Sequence, residues 1–181
     1  SLYKRNKLPN TILLSGLKGS GKATFVYHFI NYLLSRNDEK KYSLTDFYIN
    51  PENKSHLYLC NGTHTNFFLI DNMAGGEEIK IEKIRNALKF LNKSTYSSDI
   101  KIVLIDSVDC LNVYSSNALL KVLEETNNKT FFFLINNNPQ KTLNTIKSRS
   151  IEFKIFFSMN EKKKILENLI KQYLDDFNIN I

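Results

Sequence analysis

One eight-residue stretch constrains this chain more than any other. Gly16-Leu17-Lys18-Gly19-Ser20-Gly21-Lys22-Ala23 follows a short apolar run, Thr11–Ser15, and leads into a helical pattern from Thr24 to Leu34. Strand, glycine loop and helix in that order give the pattern GxxxxGK[ST] its meaning as a phosphate-binding loop. Gly16, Gly19, Ser20 and Gly21 let successive backbone N–H groups turn inward. The helix N-terminus adds partial positive charge, and Lys22 supplies a full one. One position departs from the pattern. Ala23 stands where a Ser or Thr hydroxyl would ligate Mg²⁺.

A loop of this kind needs a parallel sheet around it, and the rest of the chain provides the elements. Phe25, Val26, Phe29, Ile30 and Leu33 recur at helical spacing, and a helix over Lys22–Ser35 this apolar is expected to pack on more than one side. Phe67-Phe68-Leu69-Ile70 reads as a second buried strand, and Asp71 to Gly76 as a loop. Glu77 and Glu78 favour a helix start, with Ile81, Ile84, Leu88 and Leu91 forming its stripe. Lys101–Asp106 is the clearest strand. Its unbroken apolar run predicts burial on both faces, as in a central parallel strand. Ser115-Ser116-Asn117 is expected to cap a helix through Glu125. A strand at Phe131–Ile135, a short helix from Thr142 to Lys147 and a last strand at Ile151–Phe156 follow. Glu161–Asp176 is amphipathic, with Ile165, Leu166, Leu169, Ile170 and Tyr173 on one side. Strands alternating with helices require right-handed crossovers, so the expected fold class is α/β, a parallel sheet covered by helices on both faces.

Residues 36–66 break this rhythm. Arg36 to Lys41 is a charge run read as solvated, and Pro51 to Asn66 is polar without a period, so the segment is expected to be a surface insertion. His56, Cys60 and His64 lie four residues apart within it. Three soft ligands lack a fourth and no Cys-x2-Cys pair is present, so no zinc is expected. With 181 residues the chain holds one full domain and the beginning of another. The core is expected over 1–157. Residues 158–181 read as the first helix of a helical lid, cut short at Ile181. The chain also starts without Met and close to its first strand, which predicts a missing N-terminal piece. No apolar stretch approaches the ~20 residues of a membrane span. The start around Lys4, Arg5 and Lys7 precedes too short an apolar run for a signal peptide. Two cysteines, Cys60 and Cys110, suit a reducing compartment. A cytoplasmic protein is expected. The formal charge of +7 is compatible with nucleic acid nearby, but no Lys/Arg block interleaves with aromatics, and a general Lys, Asn and Ile bias explains it.

Asp106 is the second candidate of the site. It ends a hydrophobic strand, where a parallel sheet places ligands and where such proteins hold Mg²⁺ through water. From Lys101 to Asp109, through Asn117-Ala-Leu-Leu-Lys-Val-Leu-Glu-Glu125, to Ser148-Arg149-Ser150, the chain resembles the bacterial clamp-loader AAA+ family of DNA polymerase III, its delta-prime branch most closely. Lys22-Ala23-Thr24 and Gly62-Thr63-His64 before Phe67-Phe68 strengthen the resemblance, which covers most of residues 8–157. It implies a P-loop AAA+ core within a five-subunit clamp loader, with ATPase subunits and the delta subunit as partners. Such a complex opens the sliding clamp and loads it onto primed DNA. It further implies that Arg149 matches the arginine offered in trans to a neighbour's ATP. A guanidinium suits that role because it meets phosphoryl oxygens in a bidentate way and keeps its charge.

The departures from the family matter equally. Ser107 stands where an active ATPase has the Glu that polarises water, and an unaided hydroxyl is a poor base. Asp109 lies two positions further on. Ser150 replaces a Cys, and a four-cysteine zinc module of the family is missing. Asn137 best matches the family's sensor position, with Asn136 as its neighbour; the alternative is that Asn136 to Asn138 form an ordinary turn. For Arg149 the alternative is a surface arginine pairing with nothing. The leading expectation is a non-hydrolysing structural subunit that retains a cradle for ATP or ADP, with Mg²⁺ weakly held or absent. An active clamp-loader ATPase using Asp109 is the second reading, and a stand-alone nucleic-acid-binding domain the third.

Overall fold

The computed structural model describes residues 8–72, 78–93, 100–125, 127–142 and 144–176. Five strands form one sheet: β1 (Thr11–Gly16), β2 (Phe67–Ile70), β3 (Lys101–Asp106), β4 (Thr130–Asn136) and β5 (Ile151–Ile155). Their order is β2-β3-β4-β1-β5, and every pairing is parallel. The apolar runs behave as runs buried on both faces should. Leu13, Val103, Ile105, Phe132 and Leu134 point to one side. There they meet Ile84 and Ala87 of α3 (Ile81–Asn92), Leu119 and Val122 of α4 (Val113–Glu125), and Ile146 of α5 (Asn144–Ser148). Their neighbours Ile12, Leu14, Ile102, Leu104, Phe131 and Phe133 point to the other side. These pack on Val26, Ile30 and Leu33 of α1 (Lys22–Leu34) and on Leu59 of α2 (Lys54–Cys60). Strands β1 to β4 thus alternate between two apolar cores, and the sheet is the wall between them, while the edge strand β5 leaves Ile151 and Phe153 exposed.

Several boundaries differ from the sequence reading, each for a local reason. The 36–66 segment contains a helix, α2, that lacks a detectable period because it has only two turns and buries only Ser55 and Leu59. Its start is fixed by side chains. Asn53 Oδ1 accepts the His56 N–H at 2.7 Å, and Asp38 Oδ2 accepts from Asn53 Nδ2 and the Ser55 N–H at 3.0 and 2.9 Å. Asp38 is therefore an anchor inside the charge run, and Asn31 of α1 joins the same network through Asn53. The α4 helix begins at Val113. Asn112 caps it by accepting the Ser115 N–H at 2.9 Å, while Ser115 and Ser116 are buried inside the helix. Val113 and Tyr114 are exposed, so the first helical turn shows no apolar pattern to read.

The α3 helix starts at Ile81. Glu78 instead precedes a bridge between Ile79 and Leu111, and Glu77 with the loop at 73–76 lies outside the described residues, as do Lys4, Arg5 and Lys7. Helix α1 packs on the sheet and against α2, with Phe29 edge-on to Phe133 at 5.6 Å, but Phe25 is exposed. The last helix, α6 (Met159–Asp176), opens with a capping box: Glu161 Oε2 accepts the Ser158 N–H at 2.7 Å while Ser158 Oγ accepts the Glu161 N–H. Ile165, Leu166 and Ile170 on its apolar stripe are exposed; the side chains of Leu169 and Tyr173 lie outside the described residues. Among the described residues no helix is long and apolar enough to cross a membrane.

Candidate functional site

The strand register sets the site. Ser15 is level with Asn136, and Asp106 with Ile135, so the C-terminal tips of β1, β4 and β3 share one edge of the sheet. Beside them β2 ends at Ile70, which brings Asp71 to the same edge. A hollow of about 490 Å³ opens there. One wall is Lys18, Gly19, Gly21, Lys22, Ala23 and Thr24; the other is Asp71, Asn72, Asp106, Ser107 and Asn137. The structure therefore brings Gly19, Gly21, Lys22, Asp106 and Asn137 together at one hollow.

The loop conformation explains its glycines. Gly19 and Gly21 have φ of 82° and 77°, the left-handed region that a Cβ disfavours. Gly16 is required for a different reason: a Cβ there would sit 2.4 Å from the Ile155 carbonyl oxygen on β5. Gly21 caps α1 without any side-chain hydrogen bond, so the first-turn N–H groups of the helix are left for another acceptor. That is the donor arrangement an anion takes. Lys22 is buried at 2% exposure. Its Nζ donates to the Gly16 and Leu17 carbonyls at 3.0 and 2.6 Å and to Ser20 Oγ at 3.2 Å. Burial pushes its pKa below the ordinary lysine value, and Asp106 and Asp109 offset part of that shift. The ammonium is thus folded back on its own loop, and Gly16 and Ser20 serve the site by holding it.

The opposite wall is a chain of hydrogen bonds. Asn137 Nδ2 donates to Ser107 Oγ at 2.9 Å, and Ser107 Oγ donates to Asp106 Oδ1 at 3.4 Å. Ser107 occupies the left-handed region at φ 73° and starts a tight turn over Val108–Cys110. Its hydroxyl has a donor on one side and a carboxylate on the other, so it is not placed as a base. Asp109 Oδ1 accepts the Asn137 backbone N–H at 2.9 Å, which turns that carboxylate toward the β4 loop. Asn136, the alternative sensor position, is fully buried. It donates to Ser15 Oγ at 3.3 Å and accepts the Asn138 N–H, so it ties β4 to β1.

Burial raises the Asp106 carboxyl above its ordinary pKa. The Ser107 hydrogen bond opposes this shift, Asp71 adds to it, and weaker effects of Lys22 and Asp109 follow. A carboxyl raised on folding favours the protonated form, so its contribution to stability is full below the unfolded pKa and is lost as pH rises through the folded one. Asp106→Asn is therefore expected to raise the thermal midpoint at pH 7.5, and the gain should vanish below about pH 4, where the unfolded aspartate is itself protonated. A variant no more stable than the wild type at pH 7.5 would contradict this account.

Arg149 is not in the hollow. It precedes β5, whose register with β1 runs from Ile12↔Ile151 to Gly16↔Ile155, so it lies at the N-terminal edge of the sheet. Five residues of strand, roughly 16 Å, separate it from the glycine loop. There it is ion-paired with Glu124 at 2.5 Å, so it is not an arginine without a partner. Asp71 and Asn72 were missed from sequence, although the rule that selects Asp106, a polar residue closing a buried strand, selects Asp71 as well. At the insertion, His56 Nε2 lies 3.6 Å from Cys60 Sγ, while His64 accepts the Asn66 N–H and is half-buried. Among the described residues no three His, Cys, Asp or Glu side chains converge as metal ligands.

Residues 1–157 match the family described as DNA polymerase III, delta subunit. Subunit delta' of DNA polymerase III from Pseudomonas aeruginosa is 30% identical over 140 residues, covering 77% of this chain and 41% of the relative. Subunit gamma from Buchnera aphidicola (subsp. Schizaphis graminum) is 29% identical over 178 residues, covering 97% and 46%. Among solved structures, a DNA polymerase III gamma subunit-related protein from Thermotoga maritima superposes with a TM-score of 0.57 at 21% identity, covering 88% of this chain and 46% of the other. The Thermotoga maritima RuvB Holliday junction branch migration motor gives 0.54 at 16% identity, covering 99% and 47%. These two share the fold, a P-loop AAA+ core. The chain spans less than half the length of each of these relatives.

Proposed function

The chain belongs to the family described as DNA polymerase III, delta subunit, and on that premise we propose that it is a non-hydrolysing structural subunit of a bacterial clamp loader, of the delta-prime type. It works in the cytoplasm with ATPase subunits and a delta subunit, loads the sliding clamp onto primed DNA through the complex, and offers Arg149 to a neighbour's ATP. The observation that carries this reading is Ser107. It occupies the position next to Asp106 where a catalytic carboxylate would be needed, and its hydroxyl is engaged by Asn137 and Asp106. Ala23 removes the Mg²⁺-binding hydroxyl from the other wall. Asp109, the carboxylate two positions further on, accepts the Asn137 N–H, which speaks against an active ATPase that relies on it.

The cradle itself fits a nucleotide. Positive-φ glycines, an uncapped helix start and a lysine that donates to its own loop are groups that ATP or ADP phosphates can engage. Bound nucleotide would supply phosphate oxygens to replace the loop carbonyls at Lys22. Mg²⁺ would find Asp106 and Asp71 on one wall and no hydroxyl at Ala23 on the other. The purified chain is accordingly expected to release no phosphate from ATP with Mg²⁺ present, and Asp106→Asn should be indistinguishable from it. Steady turnover that disappears in Asp106→Asn would overturn the reading in favour of an active ATPase.

A further inference from the structure

Resting on the reading that Arg149 serves a neighbouring molecule's nucleotide, we propose that Glu124 is the positioning residue for that arginine. The two side chains are 25 positions apart in sequence and meet at the edge of the sheet opposite the glycine loop. Arg149 Nε donates to Glu124 Oε1 at 2.7 Å, and Nη2 approaches the same oxygen at 2.5 Å. Nη1 donates to the Thr145 carbonyl, one helical turn back, at 3.2 Å. A carboxylate on one flank and a carbonyl on another fix both the plane of the guanidinium and its heading. After these contacts one N–H on each terminal nitrogen remains, enough for a two-point contact with phosphoryl oxygens.

The mounting of Glu124 favours positioning over sequestration. It lies one residue from the end of α4, a helix held in the core by Leu119 and Val122 and capped by Asn112. A carboxylate on such a helix holds its partner more tightly than a loop residue would. The pair is also solvent-accessible, with Arg149 39% and Glu124 53% exposed, so water screens their attraction. Glu124 therefore withdraws little of the arginine's affinity for an anion, while it restricts the rotamers of a long side chain that would otherwise have to be ordered on contact.

The test is a double-mutant cycle in the assembled clamp loader, with ATP hydrolysis read at the site that this chain adjoins and the other ATP sites silenced. Glu124→Ala is expected to lower kcat about ten-fold, part of the ~10²-fold that misplacing a catalytic group can cost. KM for ATP should stay within about two-fold, since ground-state binding is untouched. In the Arg149→Ala background the same substitution should have no further effect. A Glu124→Ala rate equal to or above wild type overturns the proposal, the faster rate indicating that the glutamate only sequesters the arginine. An equal loss in both backgrounds overturns it in favour of a general structural role. If Arg149→Ala itself changes nothing, the underlying trans-arginine reading fails, and the positioning proposal with it.

Discussion

Arg149→Ala is expected to slow ATP hydrolysis at the adjoining subunit of the assembled loader by on the order of 10³, the low end of what an arginine contributes to phosphoryl transfer when supplied from outside. The expected loss is large because a phosphoryl group in transfer spreads charge over oxygens that only preorganised donors can meet at that moment. Arg149→Lys should recover little of it. An ammonium is a point charge, cannot occupy the Glu124 and Thr145 contacts with one planar fork, and would engage phosphate at a single point. The fold should survive both changes. The Arg149–Glu124 pair is solvent-accessible, so its loss costs no more than about 1 kcal/mol. Single-turnover hydrolysis with the other ATP sites silenced is the measurement, with the thermal midpoint of the isolated chain as control. An adjoining site that hydrolyses ATP at the wild-type rate beside Arg149→Ala would end the trans role.

Gly16→Ala should have the largest effect on stability of any single methyl group added to the loop. The new Cβ would lie 2.4 Å from the Ile155 carbonyl oxygen, a backbone atom that can move only if β5 leaves its pairing with β1. Overpacking of this kind costs about 3 kcal/mol, which in a domain of this size lowers the thermal midpoint by roughly 6–12 °C. Gly19→Ala is the matched comparison. Nothing lies within 4 Å of its added Cβ, and its cost comes only from a φ of 82°, about 1 kcal/mol. Equal midpoints for the two variants would show that β5 is not fixed where the register places it.

Much of this was legible in sequence because it was written in local patterns. Strands β1 to β4 are apolar runs closed by polar residues, β5 alternates apolar and charged residues, and the glycine loop lies between a run and an amphipathic stripe. Asp106 closes the strongest of those runs. What escaped was tertiary. Helix α2 is too short to form on its own. It exists because Asn53 caps it and Asp38, from a run of charges, holds the cap. The start of α4 was ambiguous because Asn112, Ser115, Ser116 and Asn117 are all capable caps, and the exposed Val113 and Tyr114 give no apolar cue. Glu124 could not be paired with Arg149 from a spacing of 25 residues. The occupation of Ser107 and Asp109 by Asn137 likewise depends on strands β3 and β4 being neighbours.

A parallel sheet has a direction, and this one sets two different faces back to back. The strands' C-terminal tips carry the glycine loop; the opposite edge carries Arg149. An end-on pairing of like faces leaves the two unlike faces apart. A head-to-tail contact joins them, and head-to-tail contacts propagate into rings or filaments unless something interrupts them. Under the proposed function, a protomer that gives an arginine and hydrolyses nothing itself breaks that equivalence. On the proposed reading it passes a dependence on to its neighbour in one direction and receives none from the other. Its place in an assembly would then be an end rather than a link.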